Sequence, residues 1–449
     1  MDVLKVKLAV SLVILIVGCA LTVLFLPSGG SSGDTCLLLD FGGYEVDRAD
    51  VEGFEDVTPL EVMELICSVT SHIYEVSGDE IVSVDGRANS DTARWGLYSV
   101  PSGGTGWIEV GDGEKVSSSD STVLCWSYCG EGSSPTVAVD ATGKCFYTYE
   151  SPQRVVSLAP SCTETIVAVG GERMIVGTDF YSNYPDSIVE SRDAGYIAVT
   201  GGFSNPSFEA ILKQSPDLVV CIGSQGTHLQ MAEKLRNTGI DVVVTSGGED
   251  IRSVMDNTYM VGVALGLGDK AKETIDRSME QIYTVEGLLL DDLQTRDKHV
   301  MVALSAVKSP WVAGSETYIN DVIGITQSSN IYAGEYGWVQ VNSETIAKLD
   351  PGLIVIVSGD YAATEEDYQR MLSSMSSEWT GTTAFQKGEI WLFTGQAADL
   401  ASRPGPRIPQ ITEILSRAVQ SESFHDGIVM PKYIDTYKEY LHYTEEGAI

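Results

Sequence analysis

Two stretches of this chain are one segment written twice. Glu209 to Val220 (EAILKQSPDLVV) and Glu344 to Val355 (ETIAKLDPGLIV) keep Glu, Ile, Lys, Pro, Leu and Val in register. Each copy reads as a short helix, a break marked by Pro216 or Pro351, and then an apolar, partly β-branched run suited to a parallel strand covered on both faces. The chain therefore carries two similar α/β halves. A two-lobed α/β body has a cleft at the carboxyl ends of its strands and is first a ligand binder or a cleft enzyme.

The length of 449 residues fits about three domains at roughly 150 residues each. A formal charge of −35 excludes nucleic acid and anionic lipid as partners, because such a surface repels phosphate. Leu8 to Leu26 carries no charge, and its nineteen residues would span about 28 Å as a helix, close to the roughly 30 Å hydrocarbon core. Lys5 and Lys7 precede this segment and no basic residue follows before Arg48, so residues 1–7 are expected in the cytoplasm and everything after Pro27 outside. Ile16-Val17-Gly18-Cys19 loosely matches a lipoprotein cleavage box. Cleavage there would leave an apolar Ala20 to Leu26 behind the lipidated cysteine, so an uncleaved single-pass anchor over 8–26 is the expectation.

Seven cysteines lie beyond that segment: Cys36, Cys67, Cys125, Cys129, Cys145, Cys162 and Cys221. An extracytoplasmic compartment permits disulfides among the first five, with the connectivity open, though Cys125 and Cys129 on one strand would stand about 13 Å apart. Cys162 and Cys221 read as small buried packing residues. Five scattered histidines and no CxxC give no metal site of standard spacing, and no GxSxG, GxxxxGK, HExxH or GxGxxG occurs. No resident cofactor and no catalysis are expected.

Residues 27–35 form a Gly/Ser-rich linker. Residues 36–130 alternate strand-like runs (Cys36 to Phe41, Ile81 to Val84, Trp95 to Val100, Val123 to Tyr128) with one helix, Pro59 to Val69, capped by Thr58 with Glu61 as its capping-box partner. The succession TPLEVMELI, IVSVDG, ARWGLYSV, TVLCWSY resembles the module related to the C-terminal domain of transcobalamin, a small α+β, β-grasp-like unit. A hairpin turning at Asp140 to Gly143 comes next, then a strand at Val155 to Leu158. A helix opened by a Ser161-to-Glu164 capping box follows and closes at Gly170-Gly171.

This block, with MIVGTDFYSNYP, NPSFEAILKQSPDLVV, WVQVNSETIAKLDPGLIVI and SRPGPRI, resembles the class III substrate-binding proteins of ABC importers, the cobalamin and ferric-chelate receptors. The resemblance implies an α/β fold of two Rossmann-like lobes, 134–268 and 295–449, joined by one long helix at 269–294. It also implies that Glu209 and Glu344 dock onto arginines of a permease, and that permease and ATPase subunits are the partners. A first-turn acid favoured by the helix dipole explains each glutamate alone, but not why both halves carry it at one point.

Strand-to-helix loops are expected to bring Tyr181, Tyr184, Phe203, Gln225, Trp311, Tyr336 and Trp338 to the cleft, where flat aromatic walls suit a large planar ligand. Arg403 and Arg407, flanking Pro404-Gly405-Pro406, would meet a carboxylate or phosphate at its mouth, or cap nearby carbonyls. GWVQVNSE around Trp338 resembles the cobalamin receptors, so the expected ligand is a corrinoid. A ferric siderophore or haem is the alternative within the class, and a surface sensor or adhesion protein without transport the alternative outside it.

Overall fold

A computed structural model describes residues 34–445, except 43–44, 102–105, 112, 120, 131–132, 134, 147–150 and 293–296. The expected anchor over 8–26 and residues 27–33 of the expected linker lie outside the described residues, while Asp34 and Thr35, placed in the linker from sequence, open the first strand.

The first module folds around a mixed five-stranded sheet. Its central strands, Asp34–Asp40 and Ser121–Cys129, run parallel, with Cys36 opposite Val123. Val46–Glu52 lies outside the first of these, and Arg94–Pro101 and Ile108–Glu109 outside the second. The helix Pro59–Val69 has the expected box: Thr58 accepts from the Glu61 amide, and Glu61 accepts from the Thr58 amide at 2.7 Å. That helix buries Val62, Met63 and Ile66 against Leu37, Leu39, Trp95 and Trp126 of the sheet.

A short hairpin, Ala138–Val139 with Cys145–Phe146, follows the module. Val137 and Val139 bury against Leu38, Val100 and Cys125 on the second face of the module's sheet, while Ala138 and Phe146 join the core of the next lobe. Alternation along a strand sends successive side chains to opposite faces, so this hairpin belongs to both bodies.

The first lobe is a five-stranded parallel sheet in the order Ala198–Val199, Ile175–Thr178, Val155–Ser157, Leu218–Ile222, Asp241–Thr245. The second is built on four parallel strands, His299–Ala303, Leu353–Val357, Ile390–Phe393 and Tyr433–Ile434, with Ser329–Asn330 also paired to the first of them. The repeated segments hold equivalent places. Leu218 pairs with Val155 and Leu353 with Val300, each in the first strand of its lobe's parallel sheet. Ser215 and Asp350, each just before its proline, take the left-handed backbone conformation (φ 47° and 50°). Leu218–Ile222 and Leu353–Val357 are buried at every position, as strands covered on both faces must be. In one respect the second lobe departs from the expected loops: Trp311–Ala313 and Trp338–Gln340 are strands, an antiparallel ribbon at the edge of the sheet. Their aromatic and β-branched residues favour that pleated form.

A single helix, Gly268–Asp291, leads from one lobe to the other. It packs on Ile251–Ala264 at the end of the first lobe and on Ile408–Val419 of the second. Ile251, Val254 and Met255 lie in the same core as Ile319, Val322 and Ile411, so the helix before the linker also belongs to the second lobe's packing.

Candidate functional site

The first helix of lobe one, Pro160–Ala168, starts without the expected capping box. Ala159 is the N-cap and Pro160 the first helical residue, which places Ser161 inside the helix, where its hydroxyl cannot serve as a cap. Glu164 is freed from that role and points to lobe two. Arg407 grips it bidentately, Nε donating to Oε2 at 2.8 Å and a terminal nitrogen to Oε1 at 2.7 Å. Arg403 donates to the same Oε1 at 2.9 Å, to Asn183 Oδ1 at 2.7 Å, and pairs with Asp399 at 2.7 Å. Tyr184 lies under the Arg407 guanidinium, 4.1 Å from carbon to ring centroid. Burial opposes the charge on Arg407, but Glu164 and Tyr437 more than offset it, and the guanidinium is held protonated more firmly than usual.

Arg403 and Arg407, expected to meet a ligand's carboxylate or phosphate, are instead paired with a carboxylate of the chain itself. Arg407 is buried, with its charge neutralised inside the protein. The close approach of the lobes continues nearby: a Cβ on Gly248 would stand 2.2 Å from Pro404, so only glycine fits where the turn of lobe one meets this proline.

Beside this ionic bridge lies a cavity of about 690 Å³ at the carboxyl ends of Leu353–Val357 and Ile390–Phe393. Lobe two lines it with Ser358, Asp360, Tyr361, Thr394 and Asp435, and lobe one contributes Asn183. Open α/β sheets bind ligands at that end of their strands. Asp399, partner of Arg403, also faces the space, so three carboxylates stand in its wall.

None of the ligand-binding residues expected from the sequence is among those that line this cavity. Tyr181 is 57% exposed and meets the 64% exposed Phe180 edge-on at 5.5 Å, a pair of rings offered to solvent beside Asn183. Buried Asp179 holds that loop, accepting from the Tyr181 amide at 2.8 Å and from Ser182; burial raises its carboxyl above the ordinary range. Trp311, 49% exposed, accepts through its carbonyl from the amide of Leu304, itself a cavity residue. Trp311 and Trp338 project from one face of their ribbon, since Trp311 pairs with Gln340 and Ala313 with Trp338. Trp338 is half-buried against the lobe-two core, whereas Tyr336 is 76% exposed.

Phe203 instead packs on the core of lobe one, its ring edge-on to His228 at 5.2 Å. Gln225 is half-buried at the N-cap of Gly226–Arg236 and makes no side-chain cap. His228 ties these loops together: Nε2 meets the Phe203 carbonyl at 2.7 Å, and Nδ1 accepts from the Ile222 amide at 3.3 Å. Both ring nitrogens are used by a neutral imidazole, and burial lowers its basicity.

The structure adds Glu164, Asn183, Asp360, Asp399 and Asp435 to the residues expected at the site. One signal for Asp360 was present: Ser358-Gly359-Asp360 follows the second copy of the repeat as Gly223-Ser224-Gln225 follows the first. Glu209 and Glu344 are exposed in the first turns of Phe208–Lys213 and Ser343–Leu349. Each of these helices enters a parallel strand, so its first turn lies at the end of the sheet where the cleft opens. The capping is alike, Ser207 accepting from the Ala210 amide and Asn342 from the Thr345 amide.

A two-lobed body on one linking helix, with its cavity at the strand ends, defines a class of solute-binding protein. The periplasmic binding protein family matches residues 155–397, and the chain belongs to it. An uncharacterised ABC transporter substrate-binding lipoprotein of Bacillus subtilis is 24% identical over 293 residues, 65% of this chain and 88% of the relative. A cobalamin-binding protein of Halobacterium salinarum is 24% identical over 299 residues, 66% of this chain and 75% of the relative. A periplasmic haem-binding protein of Pseudomonas aeruginosa shares the fold with a TM-score of 0.53, at 22% identity, over 60% of this chain and 93% of its own.

Proposed function

We propose that the chain is the membrane-anchored, outward-facing substrate-binding component of an ABC importer, and that it delivers a corrinoid to the permease. The observation that carries the ligand choice is the charge of the cavity. Asp360 and Asp435 stand in its wall, and the two arginines beside it are already neutralised by Glu164 and Asp399, so the charge left over is that of Asp360 and Asp435. A ligand fringed with carboxylates, as haem is, would face unpaired repulsion there, whereas the amide fringe of a corrinoid can donate to those aspartates. The similarity to the Halobacterium cobalamin-binding protein supports the same choice. Phe180, Tyr181 and Trp311 supply flat apolar surface on either lobe.

The first module is read as β-grasp-like. Its parallel central strands, flanking hairpins and single packed helix support that reading and its kinship with the transcobalamin C-terminal-like domain. Residues 8–26 would anchor the whole.

The haem or ferric-siderophore reading is favoured by the haem-binding fold neighbour and remains the second choice. Titrating the purified chain with cobalamin, cobinamide, haem and ferric chelates by absorbance and calorimetry separates them. If no corrinoid binds more tightly than about 10 μM while haem or a chelate does, the corrinoid assignment falls. Replacing Glu209 and Glu344 together by alanine is expected to leave ligand affinity unchanged and abolish uptake; unchanged uptake would remove the docking role.

A further inference from the structure

Among the described residues one pair of cysteine thiols approaches closely: Cys36 Sγ and Cys145 Sγ are 3.9 Å apart. The other cysteines have different nearest partners. Cys67 lies against the Met63 sulfur, Cys129 against the Tyr98 hydroxyl, Cys162 against the Thr245 hydroxyl, and Cys125 and Cys221 against backbone carbonyls. Cys36 belongs to the first strand of the N-terminal module, Cys145 to the hairpin that opens the receptor body, and the pair is separated by 109 positions in sequence.

The backbones carrying the two thiols are held in place independently. Asp40, four residues from Cys36, accepts from the Thr136 amide at 2.6 Å and its hydroxyl at 2.7 Å. Trp107 donates to the Val137 carbonyl at 2.7 Å, and Val139 pairs directly with Cys145. Val137 and Val139 pack with Cys36 in one apolar cluster, and Cys145 lies at its edge. Contact that does not depend on the sulfurs therefore brings them together, to 3.9 Å against the roughly 2.05 Å of a formed disulfide.

We propose that Cys36 and Cys145 form a redox-controlled disulfide that staples the N-terminal module to the first receptor lobe. The proposal rests on the outward location in the functional reading only for its oxidising compartment. The co-reactant is an external disulfide, either a small-molecule one such as oxidised glutathione or the active-site disulfide of an exported oxidoreductase. Cys145 is half-buried, the more accessible of the two, and Cys36 is buried. Its bond with Cys145, and then burial, push the Cys36 thiol well above its ordinary range, so Cys145 reacts first. The Cys145 thiolate attacks the external disulfide and expels one thiolate. Cys36, losing its proton, then attacks the Cys145 sulfur of the mixed disulfide and expels the second. Two protein thiols are oxidised and one external disulfide is reduced to two thiols, with no other reagent. The bond encloses the whole module in one covalent loop, a long span of the kind that most restricts an unfolded chain.

The test uses the full chain in detergent, reduced and then equilibrated in glutathione buffer with oxidised glutathione, blocked with N-ethylmaleimide and mapped by mass spectrometry. The expected result is the loss of two alkylatable thiols and a cross-linked peptide pair containing Cys36 and Cys145 that dithiothreitol separates. C36S is expected to stop at glutathione-modified Cys145, and C145S to leave Cys36 alkylatable. The proposal is overturned if both cysteines are recovered alkylated in equal yield with and without oxidised glutathione, if glutathione stays on Cys145 in the unmutated chain, or if Cys36 links to Cys125 or Cys67 instead. The mapping needs neither ligand nor transporter, so its failure is distinct from failure of the import reading.

Discussion

Glu164 offers the sharpest test of how the lobes are held. Its side chain is 2% exposed and its two arginine partners 8% and 10%, so E164Q would leave two guanidinium groups facing a neutral amide where water cannot screen them. Removing one partner of a buried ion pair costs about 3–5 kcal/mol, against 0–1 for an exposed pair. At roughly 2.1 cal/mol/K per residue, about 300 residues of lobes and linker unfold with about 0.6 kcal/mol/K, so the midpoint should fall by about 5–8 °C. Thermal unfolding followed by tryptophan fluorescence and far-UV circular dichroism reads this directly. Adding Arg407→Met to E164Q should recover a large part of the loss, because Arg403 keeps Asp399 and the surplus charge is gone. A fall of less than 2 °C in E164Q, or strictly additive losses in the pair, would show that the bridge is solvated and that another feature keeps the lobes together.

Three further outcomes follow from buried polar groups. Asp40 is fully buried and accepts from Gly42, Ser127 and both donors of Thr136, so Asp40→Ala should cost about 3–5 kcal/mol in urea unfolding of the module, and a loss under 1 would refute the tie. The folded-state pKa of His228 lies below its unfolded value, so the unfolded chain takes up the proton first. Stability should therefore fall as pH drops from about 6.5 through the folded value, and His228→Phe should remove that slope. Asp256 behaves in the opposite sense: burial raises its carboxyl to about 6, so its favourable contribution is complete below the unfolded value and is lost as pH rises through about 6. Asp256→Asn should then stabilise the chain by up to about 3 kcal/mol at pH 8 and change little at pH 3.5, as measured by denaturant midpoints.

The periodic and repeated parts of the chain were legible without coordinates. The Thr58–Glu61 box, the hairpin turn at Asp140 to Gly143, the linking helix and the twin strands after Pro216 and Pro351 all rest on local chemistry, and the structure has them. Partnerships across long separations were not legible. Ser161 to Glu164 satisfies the capping-box pattern as well as Thr58 to Glu61 does; a proline one position earlier moves the helix start and releases Glu164 to arginines 239 and 243 residues away. Trp311 and Trp338 were expected on loops because three-residue strands carry too little alternation to register against their surroundings.

The same limit explains why the acids of the cavity were missed while aromatics outside its lining were named. Aromatic residues on loops are conspicuous in sequence because burial under the loop is their ordinary fate; aspartates after strands are common and solvated. Asp360 and Asp435 gain meaning only when two parallel strand ends and the lobe-one residue Asn183 enclose one space. Glu164 then changes the sign of the argument. Had Arg403 and Arg407 been free, the cleft would present cations and select an anionic ligand; because a carboxylate of lobe one occupies them, the remaining charge at the wall is negative. One buried glutamate thus both bridges the lobes and takes up the cationic charge that the arginines would otherwise present beside the cavity.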